Sequence, residues 1–174
     1  GYPCTAVPIG DLISELLNFS KPAEIALSRT ALQSVLDESL SAAFDRITLK
    51  HIKPEIKYLQ EPAWVNADSG KLHIAFLNII INAIEAMPEN AGVLTISLIR
   101  DMNLYKVVIS DNGIGISDEN LPRLFEPYFT SKRNGLGLGL ATTLNILQQH
   151  KANVDVVSVP GQGTTFTISF SMID

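Results

Sequence analysis

Apolar and polar positions change their period several times along this chain, and each change marks an element. Leu12/Leu16 and Ile13/Leu17 stand four apart and predict a short helix over residues 11–19, which Pro22 keeps from continuing. Leu32, Leu36, Leu40, Phe44 and Ile47 predict a longer helix ending near Arg46. Thr30 and Gln33 ahead of it fit a capping box. Residues 48–60 read as extended chain, and Pro54 splits them or places them at a sheet edge. Trp64 and Val65 make a further short strand. Asp68 or Ser69 caps an apolar helix that runs to about Met87. After a turn at residues 88–92, Leu94, Ile96 and Leu98 alternate as a strand, and residues 105–110 return beside it. Residues 111–136 read mostly as loop, and residues 137–150 as a helix carrying Leu138, Leu140, Leu144 and Leu147. Residues 154–159 and 164–170 form a closing hairpin. This order predicts an α+β fold, a two-layer α/β sandwich with one mixed sheet and helices on one face. The weakest join is residues 21–28, a candidate hinge.

One helix departs from simple amphipathic patterning. Between Ile74 and Ala86 the polar exceptions are Asn78, Asn82 and Glu85. Spacings of four and three put them in one stripe, bordered by Phe76, Leu77, Ile79, Ile80, Ile81 and Ile84. Such a stripe either meets water or faces a cavity that holds a polar ligand or a metal.

Composition narrows the classes. The 174 residues suit one domain with a sizeable core, at 46% hydrophobic and 18% charged. A net charge of −5 argues against a broad nucleic-acid surface. The single Cys4 forms no internal disulfide, which fits a reducing, cytoplasmic setting. No apolar run reaches the ~20 residues of a membrane span, so a membrane-anchored parent would contribute this chain as its cytoplasmic part.

Two glycine-rich segments carry the chemistry. Asp111-Asn112-Gly113-Ile114-Gly115 follows a strand. Asp111 is either a turn former or, when ionised, an acceptor for an exocyclic amine of the kind adenine presents, with Gly113 and Gly115 letting backbone approach a flat ring. Gly135-Leu136-Gly137-Leu138-Gly139-Leu140 opens a helix. Glycine at Gly139 costs about 1 kcal/mol relative to alanine inside a helix, a cost explained if backbone N–H groups there approach a phosphate. The spacing is neither that of a P-loop nor that of a dinucleotide fingerprint. Lys132 and Arg133 lie just upstream, within reach of a phosphate held there. Phe125, Tyr128 and Phe129 are either lid anchors or core residues. Asn82 offers the hard amide oxygen that Mg²⁺ accepts beside water and phosphate. His51, His73 and His150 have no metal-ligand spacing, and His150 lies where a cation would meet a helix C-terminus.

Taken in order, these segments resemble the ATP-binding catalytic domain of sensor histidine kinases, within the GHKL superfamily. Residues 78–83 (Asn-Ile-Ile-Ile-Asn-Ala) resemble its asparagine box, residues 111–115 its first glycine box, residues 125–132 its phenylalanine box, and residues 135–140 its second glycine box. Gly161-Gln162-Gly163-Thr164 resembles its last turn. The resemblance implies a Bergerat fold over residues 28–174, with residues 1–27 a stub of the dimerisation and phosphoacceptor region plus a linker. It implies ATP and Mg²⁺ as cofactors. Asn82 would hold the metal, and Asn78 would position metal or phosphates. Asp111 would take the adenine amine, with Gly113 and Gly115 lining the base. Gly137 and Gly139 would face the phosphates under a lid that includes Lys132, and Gly135, Leu138 and Thr164 would be further cofactor-binding residues. The catalytic group is thus Asn78, Asn82 and Lys132. The implied partners are the phosphoacceptor helix of a homodimeric parent kinase and a response regulator receiver domain, with no nucleic acid.

The family's acceptor histidine box has no counterpart here, so the γ-phosphoryl group would pass to a histidine in a segment absent from this chain. Lys151-Ala152 stands where the family often has glycine. The alternatives are a GHKL-type ATPase, a serine kinase of the anti-sigma type, and a nucleotide sensor without activity. ATPases of the superfamily resemble a glutamate-first asparagine box whose carboxylate activates water. Asn78 is an amide and cannot serve as that base.

Overall fold

The computed structural model describes residues 24–127 and 139–173. The expected helix at 11–19, Tyr128, Phe129 and the segment from Thr130 to Leu138 lie outside those residues.

Two sheets and three α-helices make up the described chain. Strands β1 (Ser28–Ala31) and β3 (Trp64–Ala67) pair antiparallel as a small separate sheet. Arg29 stacks its guanidinium 3.8 Å over the Trp64 ring there. The main sheet has the order β2-β4-β5-β7-β6, from β2 (Lys53–Lys57), β4 (Val93–Asp101), β5 (Leu104–Asp111), β7 (Gly163–Ser171) and β6 (Asn153–Val159). β2 runs parallel to β4 and the other neighbouring pairs are antiparallel, so the sheet is mixed as expected. Pro54 lies on the edge strand β2, where its missing N–H leaves no ladder bond unmade on the open side.

Period-two patterning explains which face of the sheet is covered. Leu94, Ile96 and Leu98 of β4, Val107 and Ile109 of β5, and Phe166, Ile168 and Phe170 of β7 are all buried. The intervening Thr165, Thr167 and Ser169 take the opposite face with Lys106 and Ser110. Helix α1 (Leu32–Leu49) packs against α2 (Ser69–Ala86), and α2 against α3 (Gly139–Gln149). Phe76 of α2 meets Phe170 of β7 edge to face at 6.2 Å between ring centroids, fixing helix to sheet. Among the described residues no helix is long and apolar enough to cross a membrane.

Three local expectations need correction. The capping box at Thr30 and Gln33 does not form. Thr30 is a buried strand residue whose hydroxyl turns to the Ser28 and Ala67 carbonyls, and α1 begins at Leu32 behind Ala31 with no side-chain cap. Gln33 instead clamps the 59–63 loop, donating to Leu59 and Glu61 and accepting from the Ala63 amide. The extended stretch begins later than expected, because α1 runs on to Leu49 and closes through His51 in the left-handed region (φ 52°). His150 is not the helix-end cation expected. Its Nδ1 lies 2.8 Å from the Ile146 carbonyl, which can only accept, while its Nε2 accepts the Asp68 N–H at 3.0 Å. The ring therefore stands in the Nδ1–H tautomer and ties the end of α3 to the start of α2.

Candidate functional site

Asp111 ends β5 on the helix-covered face, directly opposite Thr164 of β7. Both are buried, at 9% and 6% exposure. The Asp111 carboxylate accepts the Gly113 N–H at 2.8 Å. Burial raises its pKa above the ordinary carboxylate value, and hydrogen bonds from the Gly113 and Thr164 amides only partly oppose that rise.

The loop after Asp111 is seated by contacts at its glycines. A Cβ on Gly113 would overlap the Ala86 carbonyl at the end of α2, and that carbonyl accepts the Ile114 N–H at 3.0 Å. Gly115 has a φ of +75° and passes against the Val159 backbone, and the Gly161 N–H donates to the Ile114 carbonyl at 2.7 Å. Asn112 secures the other side, accepting from the Val93 amide and donating to the Ala91 carbonyl. The fold itself requires the glycines at 113 and 115.

Gly139 behaves differently. It opens α3, and a Cβ there would make only ordinary contact with the Asn78 side chain, at 3.9 Å. Among the described residues, nothing in the packing demands glycine. The Asn78 amide donates to the Gly139 carbonyl at 3.1 Å and to Thr143 Oγ1 at 3.2 Å. Thr143, fully buried, donates in turn to the Gly139 carbonyl at 2.8 Å. The polar stripe of α2 thus has a partner at its inner end, the first turn of α3. Asn78 and Asn82 are half-buried and Glu85 is exposed, so the stripe runs outward into solvent.

Helix α2 joins the two halves of the site. Its middle holds the start of α3 through Asn78, and its end holds the Asp111 loop through Ala86. Eight residues of helix separate those points, about 12 Å at the usual rise, with Asn82 and Glu85 between them. Phe125 packs edge to face on Phe166 at 6.4 Å, so the chain leading toward residue 128 is anchored on β7.

The histidine kinase-, DNA gyrase B- and HSP90-like ATPase family matches residues 67–173, which include every one of these groups. The chain belongs to that family. Among curated proteins it is 34% identical over 160 residues to sporulation kinase A of Bacillus subtilis, covering 91% of this chain and 26% of that protein. It is 33% identical over 157 residues to the sensor histidine kinase ZraS of Escherichia coli, covering 90% of this chain and 34% of that one. Among solved structures, the mycobacterial sensor histidine kinase MprB superposes with a TM-score of 0.76 at 28% identity, covering 84% of this chain and 98% of that one. The α+β sandwich is the fold of histidine kinase catalytic domains, and this chain is an ATP-binding domain of that type. It spans about a quarter to a third of the length of these curated relatives.

Within this histidine-kinase-type ATPase domain, the structure brings Asp111, Gly113, Gly115 and Thr164 together at one end of α2 and Asn78 and Gly139 at its middle. Lys132, Gly135, Gly137 and Leu138 lie outside the described residues. Two polar groups of the site carry no glycine or charge signature and escaped the sequence reading. Thr143 is legible only as the residue four after Gly139, and Ser158 only as a hydroxyl ahead of the Pro160 turn.

Proposed function

We propose that this domain binds Mg²⁺-ATP along α2 and passes the γ-phosphoryl group to a histidine on a phosphoacceptor helix of its parent protein. The observation that carries the reading is Asp111, a buried acceptor at the mouth of a loop built by glycines, facing Thr164. It suits the amine of adenine, and Gly139 of α3, where the described residues leave room for alanine, suits the phosphates.

The residues present fit the metal. Among the described residues no three His, Cys, Asp or Glu side chains gather as a protein cage. Mg²⁺ ordinarily takes few protein oxygens and completes its shell with water and phosphate. The amide oxygen of Asn82, half-buried between the two ends of the site, is the group we assign to it. When bound, the metal would neutralise phosphate charge; the chain's part is to position the nucleotide. Lys132 with Gly135, Gly137 and Leu138 would complete the phosphate side.

Phosphotransfer is favoured over hydrolysis by Asn78, whose amide is spent on Gly139 and Thr143 and offers no base for water. The acceptor is not His150, because both of its ring nitrogens are already engaged. Residues 1–27 would be the stub of the phosphoacceptor region, and the next carrier a response regulator receiver domain. A homodimeric parent with this domain in the cytoplasm completes the proposal. Mixing the chain, Mg²⁺ and γ-labelled ATP with the phosphoacceptor helices of the parent protein tests it. Acid-labile label on a histidine of those helices is expected. Release of free phosphate with no labelled protein would indicate an ATPase instead.

A further inference from the structure

Ser158 of β6 occupies a junction that the nucleotide reading leaves without a task. Its Oγ accepts the Ile116 N–H at 2.7 Å, lies 3.0 Å from the Gly163 carbonyl and lies 2.8 Å from Thr164 Oγ1. A hydroxyl has one proton and two acceptor sites. The Ile116 amide takes one acceptor site. The Gly163 carbonyl can only accept, so the Ser158 proton goes to it. The remaining contact is then satisfied in one sense alone: Thr164 donates its proton to Ser158. Thr164 Oγ1 is left with lone pairs and no proton for a ligand. It lies on the buried face of β7, opposite Asp111, whose ionised carboxylate is also an acceptor.

We propose that Ser158 is a positioning residue for base selectivity, fixing the Thr164 hydroxyl as an acceptor so that this end of the site takes purines with a 6-amino group and rejects 6-oxo purines. The inference rests on the nucleotide reading of the Asp111 site. A wrong hydroxyl orientation would present a proton to the exocyclic amine and a donor to a 6-oxo group, reversing part of the discrimination. Fixing the orientation through a neighbouring strand holds that polarity before any ligand arrives.

The test compares ADP and IDP binding, at fixed Mg²⁺, by titration calorimetry on the 174-residue chain and its variants. In the unaltered chain, ADP should bind more tightly than IDP. Ser158→Ala frees the Thr164 hydroxyl and should shrink the ADP/IDP affinity ratio about three- to tenfold, the range expected for one misdirected hydrogen bond. Ser158→Cys should shift the ratio the same way, since a thiol is a weak donor and acceptor. Ser158→Thr keeps the hydroxyl and should restore the ratio. In a Thr164→Val background, Ser158→Ala should leave the ratio unchanged, because no hydroxyl remains to orient. Equal weakening of ADP and IDP in both the Ala and the Cys variants would show that Ser158 only braces the loop, and would overturn the inference. Failure of the unaltered chain to bind ADP would instead overturn the nucleotide reading beneath it.

Discussion

The side-chain amide of Asn78 donates to the main-chain carbonyl of Gly139, 3.1 Å away and 61 residues further along the chain. A residue on the polar stripe of α2 therefore holds the first described turn of α3. Replacing Asn78 with alanine removes this bond and the one to Thr143. We expect a stability loss of about 1 kcal/mol and a larger relative loss of nucleotide affinity, about tenfold, measured by chemical unfolding and by calorimetric titration with ADP. Asn78→Asp should be worse for binding, because a carboxylate would face the Gly139 carbonyl without a proton to give.

Gly113 and Gly139 should respond in opposite ways to the same substitution. Gly113→Ala drives a methyl into the Ala86 carbonyl and should cost about 1–3 kcal/mol of stability. Gly139→Ala meets only ordinary contact and should raise stability by up to about 1 kcal/mol through helix propensity. If phosphates approach the backbone there, the same methyl should weaken ATP binding. Thermal melts alongside ATP titrations separate the two effects. A Gly139→Ala domain that is more stable and binds ATP unchanged would remove the phosphate role from this helix start.

Asp68 caps α2 by accepting from Lys71 and also accepts the Ala26 amide. The Ala26 N–H is the main cause that holds its carboxyl below the ordinary value. A lowered pKa contributes stability above the ordinary carboxylate range that is lost as pH falls through the folded-state value. Asp68→Ala should cost about 1–2 kcal/mol near neutral pH and progressively less on acidification, seen in unfolding curves at several pH values.

Asp111 should show the opposite sign. Its pKa is raised by burial, so the folded chain binds this proton more tightly than the unfolded one. The group favours folding below its folded-state value, and its ionisation disfavours folding as pH rises through that value. Ionised Asp111 is nevertheless the form that accepts an amine. Nucleotide affinity should therefore fall on acidification, starting above the ordinary carboxylate range near pH 4, while this residue's effect on stability runs the other way. Asp111→Asn, which removes the titrating group, should flatten the stability profile.

Much of the frame was legible because period and punctuation agree. Alternation in β4, β5 and β7 and the run of apolar residues in α2 gave the sheet, its covered face and the central helix. The capping box at Thr30 misled because pairing with β3 claimed the threonine and the 59–63 loop claimed the glutamine. Lys151, with a φ of 56°, closes α3 where glycine is the easier residue, and the Ala152 N–H still reaches the Leu147 carbonyl. The turn after His150 thus forms despite the lysine. At the site, charged and glycine positions announced themselves. Thr143 and Ser158 did not, since a buried hydroxyl has no spacing rule and acquires its task from strands and helices distant in sequence.

The most direct measurement is calorimetric titration of the unaltered chain and Asp111→Asn with ATP and Mg²⁺, with circular dichroism confirming that both are folded. The account predicts saturable one-to-one binding to the unaltered chain and no measurable binding to the folded variant. Equal ATP affinity for the two would contradict the assignment of Asp111 as the adenine acceptor, and with it the nucleotide site described above.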